Sequence, residues 1–203
     1  TEQSGKSQAI EFCRPMEVRE VAIAPDVTVY SADSTPADCV RFAVLGLKKS
    51  YDLVISGINR GYNLGHDIVY SGTVGAIYEG ARLGMRGVAL STDPDTFEDA
   101  FQALDTIHDY FKSHHLLTVG RLYNVNIPKA PQNIVVTAQG GPFFCDTFAH
   151  VGGDFYVQEG EPVTTAEDDL STDISAVLHN HISITPLAPT RTDIAVLQHL
   201  RGV

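Results

Sequence analysis

Residues 56–74 read SGINRGYNLGHDIVYSGTV, and the types and spacing of these residues suit the binding of an anion or of an anion with its cation. Gly57, Gly61, Gly65 and Gly72 bare the backbone, and Asn59 and Asn63 stand four apart within it. Their side chains offer neutral oxygens to a hard cation or amide donors to a phosphate. Ser71 and Thr73 add hydroxyls on either side of Gly72, where a helical pattern begins. A helix start carries unpaired N–H groups and the positive end of the dipole, which favour an anion. Asp67 is placed to orient the asparagines. The plainer reading has Ser71 or Thr73 capping the helix and the asparagines making local turns. For one Ser or Asn alone the plainer reading wins. For the whole stretch, phosphate or metal–phosphate binding is expected.

The other reactive residue types carry less. SGKS, residues 4–7, has the GKS tail of a P-loop, but Gln8 to Arg14 is short and stops at Pro15, where a P-loop would open a long helix. Cys13, Cys39 and Cys145 lie far apart with no C-x-x-C pair, which fits a reducing compartment with thiols buried as small hydrophobes. His114 and His115 read as a solvated helix end. His179 and His181, two apart on one strand face, read as surface or interface residues. Glu167, Asp168 and Asp169 read as a solvated loop. There is no G-x-S-x-G, so nothing suggests a serine hydrolase.

Composition narrows the partners. The 203 residues are 43% apolar and 19% charged, with a formal net charge of −11, which argues against a nucleic-acid surface and a basic membrane footprint. No apolar run approaches a bilayer span, and TEQSGKSQ is unlike a signal peptide, so a cytoplasmic location is expected. Thr1 opens the chain inside a polar Gly/Ser stretch, which reads as the interior of a longer protein.

The elements that must hold residues 56–74 alternate. Thr35 to Lys49 reads as a helix and Tyr51 to Ser56 as a buried strand. A helix from Thr73 to Gly84 follows, then a buried strand over Gly87 to Ser91. Asp93-Pro94-Asp95 signals the next helix start, with Phe97, Phe101, Leu104, Ile107 and Phe111 as its apolar stripe. Leu122 to Ile127 is the next strand. Helices alternating with buried strands give an α/β, Rossmann-like domain with a mostly parallel sheet. Beyond about residue 133 the texture changes. NIVVTAQGG and FYVQEGEPVTT read as antiparallel strands, HISITPL as a strand, and Thr192 to Leu200 as a short helix. The division expected is a core over residues 1–135, and a β-hairpin extension with a C-terminal oligomerisation arm over residues 136–203.

DLVISGINRGYNLGHDIVYSGTVGAIYEGARLG resembles the signature of the survival protein SurE family. SGKSQAI, STPADCV, NVNIP and ISITPL resemble further family segments in the same order. The resemblance implies a metal-dependent 5′/3′-nucleotidase that hydrolyses nucleoside monophosphates. It implies one divalent ion, Mg²⁺ or Mn²⁺, with Ser4 and Asn59 as ligands beside two adjacent acidic residues. Asn63, Ser71, Gly72 and Thr73 match the phosphate-binding positions. The family's acidic pair lies in an Asp-Asp-Gly motif that this sequence does not contain, so its catalytic residues stay unassigned and a first βα unit is expected to be missing. His66 stands where an acidic residue is common, and LHNHISITPL lacks the usual Gly-Tyr. A homodimer or homotetramer with exchanged C-terminal arms is implied. The competing expectation is a SurE-fold binding or assembly protein that keeps the phosphate cradle without the acids.

Overall fold

The computed structural model describes residues 5–202. An antiparallel hairpin, β1 (Val18–Ala24) and β2 (Val27–Ala32), precedes α1 (Pro36–Arg41), which Thr35 caps through its side chain. The helix expected over Thr35 to Lys49 is therefore shorter, and it ends in a wider turn over Phe42–Gly46. The central layer follows: β3 (Leu53–Arg60), α2 (Gly72–Arg82), β4 (Arg86–Thr92), α3 (Glu98–Ser113), a single turn α4 (Leu116–Val119) and β5 (Leu122–Ile127). Then come β6 (Ile134–Val136), the hairpin β7 (Phe144–Gly152) and β8 (Phe155–Pro162), α5 (Asp173–Leu178), β9 (Ile182–Leu187) and α6 (Ile194–Arg201).

The five-stranded sheet has the order β3-β4-β5-β9-β6. Strands β3, β4 and β5 are parallel, β9 is antiparallel to β5, and β6 is parallel to β9. NIVV thus joins the central sheet beside β9 rather than an antiparallel pair with FYVQEGEPVTT. The sheet draws strands from both sides of the 135/136 boundary. Every residue of β5 is buried, its two asparagines included.

The two faces of the sheet differ in chemistry. Val88, Leu90, Tyr123, Val125 and Ile127 pack under α3 with Ala100, Ala103, Ile107 and Phe111. The stripe on α3 is thus narrower than expected, because Phe101 turns outward and is 60% exposed. Ala89 and Leu122 point to the opposite face, under Val74 and Ile77 of α2. Strand side chains alternate, so Ser91, Asn124 and Asn126 fall on this second face, all fully buried. The face under α2 therefore turns from apolar to polar toward the carboxyl ends of β4 and β5. In open α/β sheets that end is where ligands bind.

Candidate functional site

Asn59 and Arg60 end β3, and the segment that follows is held from below by that polar face. The Asn63 backbone N–H donates to Asn126 Oδ1 at 2.8 Å, and the amides of Asn124 and Asn126 both donate to the Asn63 carbonyl at 2.8 Å. The Asn63 side-chain amide donates to Ser91 Oγ at 2.7 Å. One residue is thus fixed through its N–H, its carbonyl and its side chain. Asn124 Oδ1 is buried without a partner among the described residues. Ser91, Asn124 and Asn126 were not singled out from the sequence. Their signal was two asparagines in an otherwise apolar strand, residue types depleted from strands.

The second half of the segment is tied to the C-terminal region. Asp173, fully buried, accepts from the Gly65 N–H at 2.9 Å with one oxygen. Its other oxygen accepts from Gly140 at 2.8 Å and Ile174 at 2.9 Å. Burial pushes the Asp173 carboxyl above its ordinary value, against the three N–H groups that pull it down. Gly65 sits at φ +53, and a Cβ there would collide with the Gly141 carbonyl, so this crossing requires glycine. Asp67 does not orient the asparagines: its carboxylate accepts from the N–H groups of Phe143 at 2.8 Å and Phe144 at 2.9 Å.

The segment then delivers Ser71 to the start of α2. Ser71 is the N-cap, its Oγ accepting from Val74 N–H at 3.2 Å and its carbonyl from Gly75 N–H at 2.9 Å. The capping reading of Ser71 is therefore correct as local structure. The N–H groups of Gly72 and Thr73 find no acceptor among the described residues, and these are the donors an anion would meet. Ser7 lies against the same helix. Its N–H donates to the Tyr70 carbonyl at 2.9 Å, and a Cβ on Gly75 would collide with the Ser7 carbonyl. Residues 5–7 of SGKS thus reach the α2 N-terminus with no helix of their own. Ser4 lies outside the described residues.

A cation site was expected at Asn59. Its amide nitrogen donates to the Gly61 carbonyl at 2.8 Å, which leaves Oδ1 without a partner among the described residues. Among those residues no three His, Cys, Asp or Glu side chains converge on a point that would hold a metal. The donors present supply one neutral oxygen to a hard cation and not the charge such a site needs.

The remaining candidates take structural places. His179 ends α5 instead of lying on a strand with His181, and its Nε2 meets Asp168 Oδ1 at 2.7 Å. His181 precedes β9 with a buried Nδ1 that has no partner among the described residues. Cys13, Cys39 and Cys145 are exposed rather than buried. No helix among the described residues is long and apolar enough to cross a membrane.

Comparison with known proteins adds a family to this geometry. The family model described as survival protein SurE matches residues 1–144. A protein of Acinetobacter baumannii (strain SDF) named 5′-nucleotidase SurE is 37% identical over 221 residues, covering 100% of this chain and 85% of its own length. A protein of the same name from Thermosipho africanus is 34% identical, covering 98% and 82%. The crystal structure of SurE protein from Aquifex aeolicus superimposes with a TM-score of 0.77 at 32% identity, covering 98% of this chain and 84% of that one.

Proposed function

Because the chain belongs to the survival protein SurE family, we infer that it is a nucleotidase, a phosphomonoesterase that hydrolyses nucleoside 5′-monophosphates, with 3′-monophosphates as a second substrate class. The observation that carries this reading is the anchored segment from Asn59 to Thr73. Asn63 is held at three points, and the segment ends on two N–H groups at a helix start that have no acceptor among the described residues. Phosphoryl transfer depends on such preorganised donors, because charge spreads over the equatorial oxygens in the transition state.

In this reading Gly72 and Thr73 bind the phosphate through backbone N–H, and the Thr73 hydroxyl adds a donor. Ser71 holds the helix end in shape. Asn63 borders the phosphate, and its buried partners keep it from moving as the substrate enters. Asn59 and Ser4 are the neutral ligands proposed for a divalent ion, Mg²⁺ or Mn²⁺, whose acidic ligands are not among the described residues. When bound, such an ion polarises phosphoryl oxygens and lowers the pKa of a water. The C-terminal elements are proposed to join subunits into a homodimer or homotetramer with exchanged arms.

The test is phosphate release from a panel of nucleoside 5′- and 3′-monophosphates by the full-length protein, with Mn²⁺, Mg²⁺ or EDTA. Release that stops with EDTA is expected. No release from folded protein with either metal would leave the family's cradle as a binding device, which is the competing reading.

A further inference from the structure

At the carboxyl end of the sheet, the rim of the candidate site carries groups that phosphate binding does not use. Arg60 follows Asn59 directly, and its guanidinium lies over the Phe97 ring at 5.4 Å from the centroid. It makes no ion pair among the described residues, in a chain whose formal net charge is −11. The Phe101 ring stands 6.2 Å from that of Phe97, inclined by 34°. Phe101 is 60% exposed although it lies on a helix with a well-formed apolar face. The rim is one connected piece. Gly61 N–H donates to the Thr92 carbonyl at 3.0 Å, and the Tyr62 hydroxyl donates to Asp93 at 2.9 Å. These bonds fasten the turn that follows β3 to the turn that leads into α3.

We propose that Arg60, Phe97 and Phe101 form the ledge on which the base of the nucleotide stacks. The occupant is a nucleobase, with purines favoured for their larger stacking face. A guanidinium and an exposed aromatic ring both offer flat, polarisable surfaces to a base whatever its hydrogen-bond pattern. Continuity with the Asn59–Asn63 turn puts the ledge on the rim of the proposed phosphate site. This inference rests on the nucleotidase reading, which supplies a substrate with phosphate and base on one molecule.

Phe101→Ala tests it without disturbing the core, since the ring is exposed. The readout is the ratio of kcat/KM for adenosine monophosphate to kcat/KM for ribose 5-phosphate, which keeps the sugar and phosphate but has no base. The ratio is expected to fall about tenfold, the scale of one lost base–aromatic contact. Dissociation constants of the same two compounds, measured by calorimetry for wild type and variant, give a second readout that needs no turnover. If the wild-type protein hydrolyses neither compound, the nucleotidase reading fails, and the binding ratio alone decides the ledge. An unchanged ratio in Phe101→Ala overturns the proposal. So does wild-type protein that binds both compounds equally, and so does a variant whose only change is in oligomeric state, which would make Phe101 a subunit contact.

Discussion

Asn126 shows most directly how single residues hold the site. Its side chain both accepts from and donates to the backbone of Asn63, from a position with no exposure to solvent. Asn126→Leu keeps the branch at Cγ, leaves the Asn63 N–H without its acceptor and takes one of two donors from its carbonyl. The expected cost is about 1–3 kcal/mol, the usual range for an orphaned buried polar group. A urea melt measures it, and a change within error would mean that Asn63 is not held from below. At this scale the sequence was legible where chemistry is local. A Ser before an apolar helical pattern announced the cap that Ser71 makes. Asp173 and Ser91 were not legible, because their partners are 108 and 28 residues away and neither sits in a recognisable pattern.

At the scale of elements, α2 is fastened to its surroundings by Glu79, whose side chain is 4% exposed. It accepts from Arg82 at 2.7 Å, Arg41 of the α1 end at 2.9 Å, and Gln8 at 3.1 Å. Burial pushes the carboxyl up, but the bonds from Arg82, Gln8 and Arg41 outweigh it, and the net position is below its ordinary value of 4.5. A carboxyl lowered on folding stabilises the protein above its unfolded pKa. That stability is lost as pH falls from about 4.5 through the folded value. Glu79→Gln should therefore cost about 1–3 kcal/mol near pH 7, with the gap to wild type closing as melts are repeated toward pH 3. A gap independent of pH would show that charge plays no part in the tie. The alternation from β3 to β5 was legible as elements because β4 and β5 are buried on both faces and the helices on one. β3, expected buried, is the sheet edge and has no buried residue, with Ile55 63% exposed. The β1–β2 hairpin was not legible. Its residues are largely exposed, so no apolar period marks it. The place of β9 between β5 and β6 was equally hidden, since strand order follows from long-range packing.

For the whole molecule, part of the apolar surface left outside the core lies on the C-terminal elements. None of α6 is buried, with Ile194, Val196 and Leu200 at 48%, 51% and 76% exposure. Phe148, Phe155 and Tyr156 stand out from the β7–β8 hairpin. Surface of this kind favours association, in line with the proposed exchange of arms. Removing residues 191–203 should lower the mass found by sedimentation equilibrium. A full-length protein already monomeric at micromolar concentration would set the exchange aside.

The bond from Gly65 to Asp173 spans 108 positions of sequence, and it has a consequence for the order of events on the ribosome. β3, α2 and β4 can form as they emerge, since their contacts are near in sequence. The turn between β3 and α2 cannot take its final shape until the chain has grown by more than a hundred further residues. At translation rates of roughly 5–20 residues per second, that is a delay of roughly 5–20 seconds. A nascent chain halted before α5 would therefore carry a folded scaffold whose proposed phosphate cradle has not yet set.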